Sequence, residues 1–157
     1  MEIKITLFFT LLLYAAVVSQ SIFYLLAMGP ASRNMNATTY IESRKLLDDR
    51  LSKTLGRTYL LTLLVSIALT GICITNPSGL LFTISVISLT ALIADILLAI
   101  KGNRPLNEII NNWTVSNYPE DWYRYRSKWF AFYRARQIAN LTGFTVLAAG
   151  IIFGSMA

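Results

Sequence analysis

Histidine is absent from this 157-residue chain, and cysteine occurs once. Without histidine there is no imidazole to ligate haem, to complete the usual zinc sites or to act as a general base near neutral pH. One cysteine, Cys73, allows no disulfide framework. Charge is also scarce: only 14% of residues are Asp, Glu, Lys or Arg, against 55% hydrophobic residues. Any chemistry would have to come from carboxylates, Arg, Tyr, Asn or a small molecule brought in from outside, and the residues imply no cofactor.

The gaps in charge are long and ordered. Residues 5–32, 58–94 and 137–157 contain no charged side chain. A helix needs about 20 apolar residues to cross roughly 30 Å of hydrocarbon. The middle gap is long enough for two such crossings and is interrupted by "TNPSG" at 75–79, a turn signal. Four spans are therefore predicted, at about 5–29, 58–76, 80–100 and 138–156, and they must be helices because a lone strand leaves backbone groups unpaired in lipid. The expected fold class is an all-α, integral membrane, antiparallel four-helix bundle, a single domain over residues 1–157. "MEIKITLFFTLLLYAAVVSQS" could also be read as a signal peptide with Lys4 in its basic region. The apolar run continuing through "IFYLLAMG" favours a span.

The formal charge of +6 would suggest nucleic acid in a soluble protein, but its distribution points to a membrane. Of the 14 Lys and Arg, six fall between residues 30 and 57 and seven between 101 and 136. Two basic loops on one side of a four-span chain place that side in the cytoplasm and both termini outside. The expected setting is the cell membrane, with the lipid bilayer as partner, anionic lipid attracted to the loops, and no nucleic acid.

Both basic segments carry helical patterns. Gly29 and Pro30 are expected to stop the first span. Thr39 with Glu42 three residues later forms a capping-box pattern, so the second helix is expected to start near Tyr40 and run into the membrane. Ile41, Leu46 or Leu47, Leu51 and Leu55 would give it an apolar stripe. In "AIKGNRPLNEIINNW", residues 99–113, Gly102 is expected to end one helix and Pro105 to start a short amphipathic one, with Leu106, Ile109, Ile110 and Trp113 on one face. "SNYPEDW" restarts the chain at Pro119, predicting a last helix of about 36 residues. Helices 2 and 4 would thus extend into the cytoplasm.

On that last helix Trp122, Arg126, Trp129, Tyr133, Arg136 and Asn140 share one narrow face at 100° per residue. Ordinary packing of arginine stems along aromatic rings would explain much of this stripe. It explains poorly a charge at Arg136 beside Asn140, where the chain enters the membrane. Asp95, about six residues inside the third span, is a candidate partner, because an intramembrane carboxylate is by default a functional-site hypothesis. Gln20 and Tyr24 lie at similar depth in the first span. A polar pocket is expected in that half of the bundle, with Asp95 and Arg136 as candidate catalytic groups and Gln20, Tyr24, Asn103, Asn107, Trp129, Tyr133 and Asn140 as candidate ligand contacts. The competing reading is structural: an Asp–Arg pair, with amides joining helices at about 0.6 kcal/mol each. "GIIFG" gives Gly150 and Gly154 the spacing for close helix contact, within the chain or in a homo-oligomer.

"SQSIFYLLAMGPA", "NRPLN" and the Trp129, Tyr133, Arg136 series resemble, in order and spacing over nearly the whole chain, the DUF1772 family of small four-span membrane proteins, which includes anthrone-oxygenase-like members. The resemblance implies a four-helix membrane bundle and, for some members, cofactor-free oxygenation of a flat aromatic or quinone-like substrate. By motif it carries over Asn103, Pro105, Asn107, Trp129 and Arg136. Tyr133 departs from the pattern, standing where many members have His or Asn. The non-enzymatic alternative is a lipid- or quinone-binding module or accessory subunit. The eicosanoid and glutathione membrane enzymes share size and span number, but their Arg- and Asn-bearing signature lies on the second helix, whereas "RARQIAN" opens the fourth.

Overall fold

A computed structural model describes residues 2–75 and 79–154. Four helical rods make up the bundle, each long and apolar enough to cross a membrane. The first is α1 (Glu2–Phe23), continued through a wide turn at Tyr24–Met28 into α2 (Gly29–Asn34). The second is α3 (Ala37–Ile74). The third is α4 (Gly79–Leu98), continued through a wide turn at Ala99–Asn103 into α5 (Arg104–Asn111), and the fourth is α6 (Trp122–Gly154). In the bundle α1 packs on α3 and α6, and α4 packs on the same two helices.

The prolines do not break the rods as the sequence pattern suggests. Proline lacks an N–H and its ring collides with the carbonyl four residues back. Both rods absorb this by opening one π turn just before the proline: Gly29 N–H donates to Tyr24 O, and Arg104 N–H to Ala99 O, each five residues back. The first helix therefore runs past Pro30 to Asn34, and Gly102 lies inside a continuous rod. Glycine is required at both places by close approach: a Cβ on Gly29 would lie 2.5 Å from Tyr24 O, and one on Gly102 would lie 2.3 Å from the Phe132 ring.

Helix starts also differ from the expectation. α3 begins at Ala37, capped by Asn36, whose Oδ1 accepts from Thr39 N–H at 2.9 Å. The Asn side chain is a good N-cap and sits three residues upstream of the Thr39–Glu42 pattern. α6 begins at Trp122 and has 33 residues, because Pro119, Glu120 and Asp121 form a turn in front of it. The turn expected at 75–79 falls largely on residues 76–78, outside the described residues.

The core has three parts. Tyr14, Val18, Leu69, Leu92 and Leu147 are buried at the bundle centre. There the Tyr14 hydroxyl donates to Ser88 O across α1 and α4, and Ser88 Oγ donates to Gly143 O on α6. Gly150 packs against Ile84 of the same chain, so this glycine of the GxxxG pattern serves contact between α6 and α4. A second cluster joins Tyr24, Leu106, Trp129, Phe130 and Tyr133, and a third joins Tyr40, Ile41, Ile110 and Trp113. Outward-facing apolar side chains such as Phe8, Leu12, Leu61, Leu64 and Ile67 cover the sides of the rods. Thr6, Thr10, Thr62, Thr70 and Thr83 return their hydroxyls to the carbonyl four residues back, which satisfies them within the helix.

Candidate functional site

Asp95 is completely buried, and Arg136 is 9% exposed. Arg136 Nε donates to Asp95 Oδ1 at 2.6 Å. The second carboxylate oxygen accepts from the Tyr59 hydroxyl at 2.6 Å and from Asn140 Nδ2 at 3.1 Å. Arg136 Nη2 donates to the same Tyr59 oxygen at 3.1 Å, and its Nη1 reaches Asn103 Oδ1 at 3.5 Å. Three helices thus contribute to one closed set of bonds: Tyr59 from α3, Asp95 from α4, Arg136 and Asn140 from α6. A buried ion pair survives where its remaining donors and acceptors are also engaged, and here most are. Asn140 Nδ2 also donates to Ser21 Oγ, tying in α1, while its Oδ1 has no partner among the described residues.

A second polar layer lies toward the basic loops. Arg44, 6% exposed, donates to the Tyr24 hydroxyl at 3.2 Å and to Asn107 Oδ1 at 2.7 Å. Asn107 Oδ1 also accepts Trp129 Nε1–H at 2.7 Å, and Asn107 Nδ2 donates to Asp48 at 2.8 Å. The π turn at Ala99–Asn103 and the following α5 bring Asn103 and Asn107 inward. Neither amide caps a helix: Asn103 Nδ2 donates to Trp129 O at 3.0 Å.

The aromatic stripe of α6 links the layers. Trp129 and Tyr133 stack at 4.8 Å with an 11° interplanar angle. The Arg44 guanidinium lies 4.2 Å from the Trp129 ring centre, and the Arg136 guanidinium 5.5 Å from the Tyr133 ring centre. Cation and ring contacts of this kind favour a desolvated guanidinium by about 2 kcal/mol or more. Trp129 is 3% exposed, its ring covered by Tyr133 and by the Arg44 guanidinium. Farther out, Arg126 lies over Trp122 and Tyr40 and donates to the carbonyls of Ser32 and Met35, closing the end of α2.

Between α3 and the α4–α5 rod is a partly open cavity of about 590 Å³. That is within the roughly 300–1,000 Å³ of small-molecule sites. Its polar wall includes Gln20, Tyr24, Arg44, Tyr59, Asn107 and Arg136, and its apolar wall includes Leu51, Leu55, Leu63 and Ile96. Leu60 and Ile100, 56% and 51% exposed, stand in its lining. The exposed part of its lining thus includes these two apolar side chains as well as Arg104 and Glu108.

Of the nine residues singled out from sequence, Gln20, Tyr24, Asn103, Asn107, Trp129, Tyr133 and Arg136 line this cavity, while Asp95 and Asn140 lie behind it. Sequence reasoning missed Tyr59 and Arg44. Tyr59 stands in "GRTYLL" at the start of a span and reads as an interfacial aromatic. Arg44, in "ESRKLL", reads as a solvated basic residue. Of the predicted stripe on α3, Leu47, Leu51 and Leu55 face the cavity, whereas Leu46 is 71% exposed. Among the described residues no group of three or more Cys, Asp or Glu side chains is placed to hold a metal ion.

No family model, no curated protein and no solved structure matches this chain. Four apolar rods that can each cross a membrane make it a multi-pass membrane protein.

Proposed function

We propose that this chain, a membrane protein of the DUF1772 type, binds an apolar, oxygen-bearing molecule, flat and aromatic or quinone-like, that enters sideways from the bilayer. The observation that carries this reading is the 590 Å³ cavity, with hydrogen-bonding groups on its inner wall and exposed Leu60 and Ile100 at its lining. A purely structural Asp95–Arg136 pair needs no such space beside it. The bundle is antiparallel, with the ends of α3 and α6 that carry Arg44 and Arg126 extending into the cytoplasm. The concentration of 13 of 14 basic residues in the two loop regions supports that orientation.

The geometry favours binding over base catalysis by Asp95. Both Asp95 oxygens are engaged and neither faces the cavity, so a proton taken from a bound molecule would have to pass through the Tyr59 hydroxyl. An oxygenase mechanism at this site therefore runs through Tyr59, with Arg136 stabilising an oxyanion on the ligand.

The test is native mass spectrometry of the purified protein for a co-purifying small molecule, repeated on Ala99→Phe, which fills the cavity from the π turn. A bound mass in the wild type that is lost in the variant is expected. Absence of a bound mass, together with no quenching of tryptophan fluorescence by added neutral anthraquinone, would overturn the binding reading. Oxygen uptake with the recovered molecule, compared in wild type and Tyr59→Phe, separates enzyme from binder.

A further inference from the structure

The cavity holds three arginines, and their counter-charges are unequal. Arg136 is paired with Asp95 at 2.6 Å. Arg104 is paired with Glu108 at 3.1 Å on the exposed rim. Arg44 has no carboxylate within 4.0 Å among the described residues. Its neighbours are neutral: the Tyr24 phenol, the Asn107 carbonyl and the Trp129 ring. Asp48, which also lines the cavity, is joined to it through the Asn107 amide. Both Asp48 oxygens are already held, by Asn107 at 2.8 Å and Asn111 at 2.7 Å, and Asp48 is half-buried at the edge.

Burying a guanidinium at 6% exposure without an adjacent anion is costly. Neutral acceptors fix its position but do not neutralise it. Its Nε–H has no partner among the described residues. A second group on the same wall is also unused: the Gln20 side-chain amide lines the cavity and makes no hydrogen bond to the described residues. A site that keeps a fixed, desolvated cation and a spare amide beside an apolar chamber is built for an oxyanion on an apolar body.

We infer that the ligand is an amphiphile with one anionic oxygen-bearing head, a carboxylate or a phosphate, for which Arg44 is the counter-ion. This inference rests on the binding reading above and adds the charge of the head group to it. The apolar walls take the body of the molecule, and the anion supplies the charge that Asp48 is too far and too occupied to supply.

The experiment is titration of the purified protein, in a non-ionic detergent, with anthraquinone-2-carboxylate and with its methyl ester, read by quenching of tryptophan fluorescence. The acid is expected to bind about tenfold tighter than the ester or better, a difference of about 1.4 kcal/mol. Arg44→Gln should weaken the acid more than the ester, so that the two bind alike, and Arg44→Lys should keep part of the preference. Asp48→Asn, which leaves Arg44 in place, should bind the acid at least as tightly as the wild type, and keeps the inference testable if Arg44→Gln does not fold. Lysophosphatidic acid as competitor identifies the source: displacement of the acid at lower concentration than decanoate does assigns a lipid phosphate, and the reverse order assigns a carboxylate. Equal binding of acid and ester by the wild type overturns the anionic head group and leaves the binding site standing. Failure of both to bind removes the site itself.

Discussion

The Tyr59 hydroxyl lies 2.6 Å from Asp95 Oδ2 and accepts from Arg136 Nη2 at 3.1 Å, so one phenol on α3 serves both members of a buried ion pair carried by α4 and α6. Tyr59 and Arg136 border the cavity, whereas Asp95 lies behind them. The pair therefore meets the chamber directly at Arg136 and, for Asp95, through the Tyr59 phenol.

Removing one partner of this set strands the others. Asp95→Asn leaves the Arg136 charge buried without a carboxylate and should destabilise by about 3–5 kcal/mol. Tyr59→Phe removes one donor and one acceptor and should cost about 1–3 kcal/mol. The double variant Asp95→Leu, Arg136→Met should be more stable than Asp95→Asn alone. Thermal unfolding in detergent ranks the three, and an Asp95→Asn protein as stable as the wild type would show that the pair contributes nothing.

Gly143 is predicted to be far less replaceable than Gly71. A Cβ there would lie 2.0 Å from the Tyr14 hydroxyl and 2.9 Å from Ala91 Cβ, whereas a Cβ on Gly71 meets nothing within 4 Å. Gly143→Ala should destabilise by about 1–3 kcal/mol through overpacking. Gly71→Ala should be neutral or slightly stabilising. Comparable melting temperatures for the two variants would contradict this packing.

Capping of α3 separates two residues. Asn36→Ala removes the acceptor for Thr39 N–H and should cost about 1 kcal/mol, while Glu42→Ala should cost only a few tenths. Chemical denaturation of the two variants side by side checks the order, and a larger loss for Glu42→Ala would restore the capping box.

Tyr40, outside the 58–76 stretch predicted to cross the membrane, is fully buried with no partner for its hydroxyl among the described residues, and burial pushes its pKa up to about 12 from 10.0. A phenol whose folded pKa is raised contributes stability that is complete below pH 10 and is lost as pH rises toward 12. Tyr40→Phe should therefore flatten the fall in stability over that window. It should also stabilise the protein at neutral pH by up to about 1 kcal/mol, because the hydroxyl is buried unsatisfied. Melting curves from pH 8 to 11.5 test both parts.

The spans and the Asp95–Arg136 pair were legible because they rest on local facts: gaps in charge, and the depth of two ionisable residues counted along helices. The same counting led to Gln20, Tyr24 and Asn103 on the cavity wall. Arg44 and Tyr59 were not legible because their burial is non-local. Arg44 is covered only when Trp129, 85 positions later, packs over it, and nothing in "ESRKLL" signals that. The continuity of the first and third rods was hidden for a different reason. Proline reads as a stop, and the single widened turn that lets a helix pass it has no sequence pattern beyond a nearby glycine.

Each widened turn holds one residue more than an α turn would, and the two occur at matching places, before Pro30 and before Pro105. One residue in an α-helix is worth about 100° of rotation. A chain of this kind that lost one residue within 24–28 or 99–103 could close the turn to ordinary α geometry and keep Ser32 or Asn107 on its present side. A deletion elsewhere in either rod would turn every following side chain away from its partners. Related chains that differ in length by one residue should carry the difference at these two turns.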